Sequence, residues 1–489
     1  MRSLNHDDYR LLCKTCDSVL EGGKNIYRIA MPFLHIMRGH PDSLRPYQSL
    51  FEGASDNNSS LHSPLSLHKK ILKFLFSSNC QASNSNSCKD IDVVFVSHLV
   101  NVEHLNSDSD FYFSDLPKYL KSRQVNCLII LINHTNESCK TLSKCINNST
   151  TQRIVLSKSF SLTRDFLTVF SLIREMLVMK LTSFKENGLL KKILSRASSV
   201  KLLGGPLSSL IIGKQVDNIL KLHNPKAIIT TYEGHAWERV VYSIANQHNK
   251  KILRIGYQHA VVTKNTHSMA RSLGEKCDPD LIFSSGKITH NFLKKSLNGA
   301  HSKFSVLGSE KSLGSLEAHN DKQNKTCLIL PEGSLEECNL LFSFSIKCAN
   351  KLPNIDFIWR LHPKMSFEQV LEYMSIDRNN LPKNIIISNL SLTKDIEKSS
   401  FALYRGTTAI IEAIYKGVFP IYLSTGSGMA IDFLYDAEGE RGVVESTEGF
   451  AKVINDDVPH NSDKLINYCN QYFQPLEHEV LLQELKCVI

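Results

Sequence analysis

The amino-acid sequence predicts two tandem, doubly wound α/β domains. Its 489 residues are more than one hydrophobic core usually serves, so two domains are the natural count. From residue 91 onward, short apolar runs of strand length alternate with amphipathic stretches of helix length. A polar segment at 309–325 interrupts this alternation, which restarts at residue 326. Buried strands separated by helices form parallel sheets that are covered on both faces.

The first predicted domain spans residues 91–308 and follows an N-terminal extension, 1–90, which we expect to pack on it. Two Ser- and Asn-rich segments of the extension, 53–66 and 80–90, are typical of loops and flank a short predicted helix at 67–76. In the domain itself, apolar runs predict strands at 91–97, 125–132, 153–156, 227–231, 252–257, 281–284 and 304–307. Amphipathic stretches predict helices at 114–123, 162–182, 206–223, 235–248 and 287–297.

The second predicted domain spans residues 326–489, after the linker at 309–325. Apolar runs predict strands at 326–330, 356–361, 385–388, 401–404 and 418–423. Helices are predicted at 334–351, 366–374, 393–398 and 407–416, with further helices over 427–489. Ligands of such sheets bind at the carboxyl ends of the strands, so the residues that follow each strand are the candidates for function.

The charge and cysteine content narrow the range of functions. A net charge of +9, from 57 basic and 48 acidic residues, suits a protein that handles anionic substrates or meets an anionic membrane surface. Lysine and arginine form no block with interleaved aromatic residues, so nucleic-acid binding is not expected. Thirteen scattered cysteines fit a reducing cytosol. The sole Cys-x-x-Cys, Cys13–Cys16, lacks a second pair of ligands, so no zinc site is expected.

The sequence also predicts a cytoplasmic protein. The N-terminal residues lack the apolar region of a signal peptide. The most apolar helical stretch, 166–181, contains Arg174, Glu175 and Lys180 and is therefore not expected to span a membrane.

Three strand ends of the second domain carry residues that suit an anionic ligand. Arg405-Gly406-Thr407-Thr408 follows a strand and begins a helix, so that backbone N–H groups, hydroxyls and a cation meet there. An ordinary threonine N-cap would explain the same pattern. The other two strand ends carry Glu332 and Gly333, and Arg360, His362 and Lys364. Cations beside a glycine turn suit a diphosphate or an activated monophosphate, so these nine residues predict a nucleotide-phosphate site.

Two strand ends of the first domain carry the residue types of general acid–base catalysis. Glu233 and His235 follow the strand at 227–231, and His259 follows the strand at 252–257. Each is a candidate base, and each has a structural alternative: a carboxylate near a helix N-terminus, a first-turn histidine, or a buried hydrogen-bonded histidine. The sequence contains no Gly-x-Gly-x-x-Gly or Walker motif, which disfavours dinucleotide enzymes and P-loop NTPases.

Five segments resemble bacterial surface-polysaccharide glycosyltransferases of the GT-B class; they lie at 29–41, 232–238, 256–260, 360–364 and 404–408. The chain is similar to surface carbohydrate biosynthesis proteins and, more distantly, to capsule Kdo transferases, bacterial sialyltransferases and CDP-polyol phosphotransferases. Glu332-Gly333 resembles the acidic-Gly motif of those relatives, and His362-Pro363 resembles their His-Pro motif. Thr407-Thr408 stands where they carry a hydroxyl pair that holds a cytidine nucleotide. Pro331 and Ala260 depart from the family, which has a second acid and a glycine at these places.

The resemblance implies a GT-B-like fold with two Rossmann-like domains that face a central cleft. It also implies transfer of an acidic, Kdo- or sialic-acid-like sugar from a CMP-activated donor to a growing lipopolysaccharide, O-antigen or capsule glycan. The second domain would bind the donor. The first would present a glycan or lipid-linked glycan to Glu233, His235 or His259 as base. Neither a metal nor another cofactor is expected, since CMP leaves with its own phosphate. Peripheral contact with the inner membrane, or with other polysaccharide-assembly proteins, also fits the family.

Three other functions remain open at the level of sequence. A CDP-glycerol or CDP-ribitol phosphotransferase would use the same His-Pro and hydroxyl motifs. A non-catalytic scaffold of a polysaccharide-assembly complex would keep the fold without binding a nucleotide. A two-domain sugar-nucleotide epimerase would act on a UDP-sugar without an acceptor.

Overall fold

The computed structural model describes residues 4–21, 25–52, 82–83, 90–138, 141–142, 145–146, 151–158, 162–311, 325–362, 365–426, 429–439, 441–456 and 463–489. The chain divides into two compact units. The first unit comprises 1–260, 266–310 and 475–489, and the second comprises 261–265 and 311–474. The predicted helix at 67–76 and most of the predicted linker lie outside the described residues.

The first unit is built on an eight-stranded sheet. Its strands are β1 (Ala82–Ser83), β2 (Val93–Leu99), β3 (Cys127–Asn133), β4 (Gln152–Val155), β5 (Ala227–Thr231), β6 (Leu253–Gln258), β7 (Leu281–Ser284) and β8 (Lys303–Val306). Across the sheet the order is β1-β4-β3-β2-β5-β6-β7-β8. Neighbouring strands are parallel, except that the short β1 pairs antiparallel with β4. The chain moves outward from β2 to β4 and then returns, so the strand order reverses between β2 and β5.

Both faces of this sheet are buried. The described helices that precede the last strand of the unit are α1 (His6–Glu21), α2 (Ile26–Ile29), α3 (Pro41–Leu44), α4 (Leu116–Ser122), α5 (Leu162–Ser183), α6 (Gly188–Ala197), α7 (Gly204–His223), α8 (Ala236–His248) and α9 (Lys287–Ser296). Short 3₁₀ turns lie at Pro32–Leu34, Arg45–Leu50, Val102–Asn106, Val200–Leu202 and Ser268–Ala270. Val93 and Phe95 of β2 enter one apolar core, and Val94 and Val96 enter the other. Successive residues of a strand point to opposite faces, so a strand covered on both sides is apolar throughout.

The second unit repeats this topology with six parallel strands. They are β9 (Thr326–Leu330), β10 (Asp356–Trp359), β11 (Ile385–Ile387), β12 (Phe401–Tyr404), β13 (Phe419–Leu423) and β14 (Gly442–Val444), in the order β11-β10-β9-β12-β13-β14. The described helices of this unit are α10 (Leu335–Lys351), α11 (Phe367–Met374), α12 (Leu392–Lys398), α13 (Ala409–Tyr415), α14 (Thr447–Asn455) and α15 (Asp463–Asn470), with a 3₁₀ turn at Arg378–Asn380. Here the strand order reverses between β9 and β12.

The two sheets confirm the predicted pair of doubly wound, Rossmann-like domains. The predicted extent of the second domain, 326–489, is wrong at its C-terminal end. The last helix, α16 (His478–Lys486), belongs to the first unit, where Leu481, Leu482 and Leu485 are buried in the core of the first sheet. The apolar spacing of this helix identifies its buried face but carries no information about which sheet covers that face.

Candidate functional site

The parallel pairing of β5 with β6 brings the three predicted acid–base residues together. Glu233 and His235 follow β5, and His259 follows β6. Oε2 of Glu233 lies 3.2 Å from Nε2 of His235, and Oε1 of Glu233 lies 3.1 Å from Nε2 of His259. One carboxylate therefore joins two imidazoles, and we call these three residues the Glu233 cluster.

A buried carboxylate fixes the loop that carries this cluster. Glu238, in the first turn of α8, accepts backbone N–H groups from Glu233, Gly234 and His235 at 2.7–2.9 Å. Gly234 has a φ of +89°, and a Cβ atom built there would overlap Ser268 and the backbone of Met269. Glycine is therefore required at this turn. Glu238 and Gly234 together set the direction in which Glu233 and His235 point.

A buried arginine holds the neighbouring chain in place. The Arg239 guanidinium forms an ion pair with Asp278, and both side chains are almost fully buried. Its Nη2 also donates to the Tyr232 hydroxyl at 3.0 Å and to the carbonyls of Ser268 and Arg271, each at 3.1 Å. Arg239 thus links the end of β5 to the segment that follows β6.

Sequence reasoning missed two further histidines at this edge of the sheet. His98, near the end of β2, bonds through Nδ1 to His134 Nε2 at 2.7 Å and through Nε2 to Thr231 Oγ1 at 3.1 Å. Aromatic rings surround His98: Trp237 lies 5.3 Å and Tyr112 lies 5.2 Å away, centroid to centroid. The Tyr112 ring also lies 4.9 Å from the ring of His259, so these groups are continuous with the Glu233 cluster. The available signal was position, because His98 directly follows the predicted strand at 91–97 and the residues after such strands are candidates for function.

The pKa values of the ionisable groups in and around the Glu233 cluster are shifted in different directions. Burial opposes ionisation of Glu233, but hydrogen bonds with His235 and His259 hold the pKa of this carboxyl well below its usual value. Burial disfavours the charged form of His235, yet its hydrogen bond to Glu233 raises the pKa of this imidazole. Burial and the neighbouring His134 lower the pKa of His98 to about 3, which keeps that ring neutral. Burial raises the pKa of Glu238 to about 7, against the effects of His235 and of the backbone donors.

The second sheet brings together residues from its three predicted strand ends. A Cβ atom built on Gly333 would lie 3.2 Å from Cγ and Nδ1 of His362, so this imidazole lies against the glycine. A Cβ atom built on Gly406 would overlap the carboxylate of Glu332. Loops after β9, β10 and β12 therefore meet where the strand order reverses. We call Glu332, Gly333, His362 and Gly406 the Gly406 cluster.

Two of the predicted cations of this unit, Arg405 and Arg360, are paired with acids. Buried Arg405 lies 3.4 Å, Nε to Oε2, from buried Glu337 of α10. Arg360 pairs with Asp395 at 2.8 Å and donates to the carbonyl of Leu390, so its side chain has structural partners. A buried guanidinium needs a counterion, which explains why Arg405 is paired with Glu337.

The remaining predicted residues differ in exposure. Thr407 Oγ1 accepts the backbone N–H of Ala409 at 3.4 Å, as a helix-capping hydroxyl does. Thr408 and His362 are exposed. Lys364 lies outside the described residues. Within the described residues, no group of three or more histidine, cysteine, aspartate or glutamate side chains is arranged to hold a metal ion.

Comparisons with known proteins identify similar structures at low sequence identity. No protein-family model matches the chain, and no curated protein matches it. The UDP-GlcNAc 2-epimerase of Methanocaldococcus jannaschii aligns at 11% identity and a TM-score of 0.46, over 81% of this chain and 100% of that one. The calicheamicin glycosyltransferase CalG4 aligns at 9% identity and a TM-score of 0.45, over 82% and 98%. MurG of Acinetobacter baumannii aligns at 11% identity and a TM-score of 0.44, over 81% and 99%. Similarity at this level establishes neither the substrate nor the reaction of this chain.

Proposed function

We propose that this protein is a glycosyltransferase that uses a nucleotide-activated sugar, and that the activating nucleotide is CMP. The observation that carries the proposal is the convergence of three separate strand ends in the Gly406 cluster. Glu332-Gly333, His362 and Arg405-Gly406 belong to the segments that resemble the nucleotide-binding motifs of polysaccharide transferases. They lie in contact at the reversal of strand order, the usual ligand position of a doubly wound sheet.

The exposure of two of these residues supports a donor site in this cluster. His362 and Thr408 are exposed, so the imidazole and the hydroxyl can bind phosphate oxygens. Gly333 and Gly406 leave space for the side chains of His362 and Glu332. A CMP-sugar departs as a nucleoside monophosphate, and donors fixed in advance stabilise the charge that develops on it. An acidic sugar of the Kdo or sialic acid type is the transferred group that the sequence resemblance suggests.

The Glu233 cluster would supply the base. Glu233 is held ionised and is therefore a weak proton acceptor, but it stabilises an adjacent imidazolium. The side chain of His235 is 40% exposed and that of His259 only 11%, so we assign the base to His235. The acceptor hydroxyl transfers its proton to this imidazole while its oxygen attacks the anomeric carbon. The bond from that carbon to the phosphate oxygen breaks, and CMP leaves with the electron pair.

Ligand binding tests the donor assignment. Calorimetry and thermal shift with CMP, CDP, UDP and GDP should show the largest stabilisation by CMP, since a ligand that binds only the folded state raises its stability. Each of His362→Ala and Thr408→Ala should weaken CMP binding about tenfold, the effect of losing one hydrogen bond to a charged group. His6→Ala, at an exposed position in α1, is the matched control.

Each other outcome selects a different function. Unchanged CMP affinity in both variants would refute the phosphate site. A preference for UDP would overturn the donor class, and turnover of a UDP-sugar without acceptor would indicate an epimerase. A product linkage that survives mild acid would indicate a polyol phosphotransferase, whose product is a phosphodiester. Failure to bind any of the four nucleotides would leave the non-catalytic scaffold.

A further inference from the structure

Exposed hydrophobic side chains are concentrated on helix α5 of the first unit and on the first residue after it. The described residues include eighteen large hydrophobic side chains that are exposed, and eight of them lie between residues 166 and 184. They are Phe166, Leu167, Phe170, Ile173, Leu177, Val178, Leu181 and Phe184, with exposures from 43% to 75%. Single exposed hydrophobic residues are ordinary, whereas a continuous stripe marks an interaction surface. We call this stripe the α5 face.

The opposite side of α5 anchors the helix to the protein. Leu172, Met176 and Met179 are buried, and buried Glu175 pairs with Arg28 and accepts a hydrogen bond from Asn25. The helix is therefore fixed along one side and presents the other to the surroundings. At a rise of 1.5 Å per residue, the eight side chains extend over about 27 Å.

Every exposed charge along the described part of this stripe is basic. Arg174, Lys180 and Lys185 are exposed, whereas of the two acidic residues between positions 166 and 186 Glu175 is buried and Glu186 is half-buried. The ammonium group of Lys180 lies 5.6 Å from the centroid of the Phe184 ring and donates to Ser195 of α6 at 2.9 Å. Long basic side chains of this kind lie along apolar surface and keep their charge at its margin.

We propose that the α5 face docks this protein on an anionic lipid surface, with α5 parallel to the plane of the membrane. Aromatic and aliphatic side chains would enter the region between headgroups and acyl chains, and the basic side chains would meet lipid phosphates. A second copy of the chain fits this face less well, because pairing two such faces brings basic residues together without acids to neutralise them. None of the described helices is long and apolar enough to cross a membrane. This inference goes beyond glycosyl transfer and does not depend on the nucleotide that the protein binds.

Vesicle binding by the full chain tests the proposal. The protein should sediment with vesicles that contain phosphatidylglycerol, and more weakly with phosphatidylcholine alone. Phe170→Ser/Leu177→Ser/Leu181→Ser should lower the affinity by about tenfold or more, because three apolar side chains no longer leave water. Lys180→Gln/Lys185→Gln should lower it about fivefold per charge, and only on the anionic vesicles. Leu11→Ser/Val200→Ser/Leu222→Ser, three exposed positions elsewhere, is the matched control and should bind as the unmodified chain does.

A fluorescence measurement tests the orientation. Both natural tryptophans, Trp237 and Trp359, are buried, so a Leu177→Trp variant adds the one exposed indole. Its emission should shift to the blue on anionic vesicles. Absence of binding, equal binding by the α5 triple variant, or an unshifted emission would each overturn the proposal. So would a dimer that this triple variant dissociates and that ignores vesicles, which would assign the face to a second copy. CMP affinity should be the same in all these variants, so failure here is distinct from failure of the proposed function.

Discussion

The Glu233 cluster and the Gly406 cluster occupy the same place in two sheets of the same topology, yet they are built differently. Each lies at the carboxyl ends of parallel strands: the first follows β5 and β6, next to the reversal of strand order between β2 and β5, and the second follows β9, β10 and β12, at the reversal between β9 and β12. In the first, ionisable side chains bond to one another through the carboxylate of Glu233. In the second, side chains lie against glycines, and Arg405 has a carboxylate of its own. Topology therefore fixes where such a cluster lies, and under the proposed function the local partners separate the cluster that transfers a proton from the one that binds the nucleotide.

The two clusters also differ in what keeps them in shape. Two buried ionisable side chains, Glu238 and Arg239, hold the loops of the first cluster through hydrogen bonds to the backbone. The second depends on the absence of side chains at Gly333 and Gly406. Replacing a buried ionisable side chain should therefore lower stability most in the first unit. Adding a methyl group at a glycine should lower it most in the second.

The largest effect is expected for Arg239→Met. It leaves Asp278 buried without a counterion and removes three further hydrogen bonds, so the free energy of unfolding should fall by about 3–5 kcal/mol. Arg405→Met should cost less, because its ion pair is longer, at 3.4 Å. Denaturant titration measures both. Arg123→Met is the control, because Arg123 and its partner Glu479 each have a side chain that is 53% exposed. Its free energy of unfolding should stay within about 1 kcal/mol of that of the unmodified chain. If Arg239→Met and Arg405→Met lowered the free energy of unfolding equally, the proposed difference in how the two clusters are held in place would be wrong.

Glu238→Gln should reduce turnover while leaving nucleotide affinity unchanged. Three backbone N–H groups now donate to the two oxygens of the Glu238 carboxylate. In the variant, the amide NH₂ would face one or more of these donors, and each donor left without an acceptor lowers the free energy of unfolding by about 1–3 kcal/mol. Glu233 and His235 would then move, so kcat should fall. CMP calorimetry together with steady-state kinetics checks both expectations. Glu372→Gln, an exposed carboxylate of α11, is the control. A loss of CMP affinity equal to the loss of kcat would contradict independent roles for the two clusters.

Gly406→Ala should weaken nucleotide binding without affecting the Glu233 cluster. The added methyl group would overlap the Glu332 carboxylate and approach Cδ1 of Ile431 to 2.8 Å, and overpacking of this kind costs about 1–3 kcal/mol. The double variant Glu332→Ala/Gly406→Ala should recover part of the stability, because the overlapping carboxylate is gone. Gly449→Ala, where the nearest atom is 3.6 Å away, is the control for denaturation and calorimetry. Strict additivity of the two substitutions would refute the contact between Glu332 and Gly406.

The sequence predicted the strand ends well and their partners poorly. Glu233, His235 and His259 were identifiable because each follows an apolar run of strand length. His98 also follows its predicted strand directly, yet β2 continues to Leu99, and the contacts of this histidine with His134 and Thr231 join residues 36 and 133 positions apart. The pairing of Arg405 with Glu337 joins residues 68 positions apart, and no local pattern encodes it. Hydrophobic periodicity reports which face is buried, whereas a buried ion pair depends on how distant elements pack.

The smallest expected effect is a displacement of the pH profile in Glu233→Gln. The ionised carboxylate raises the pKa of His235, and a protonated imidazole cannot accept the acceptor hydroxyl proton, so kcat/KM should fall as the pH drops through this raised pKa. Removing the negative charge lowers the pKa of His235, and the acid limb of the profile should move to lower pH. The maximum rate should fall as well, because the imidazolium loses its stabilising partner. Glu275→Gln, an exposed carboxylate of the first unit, should leave the profile in place. If Glu233 were itself the base, Glu233→Gln would remove the proton acceptor and abolish turnover at every pH. A surviving activity with a displaced acid limb is therefore the result that assigns proton transfer to the imidazole and a supporting charge to Glu233.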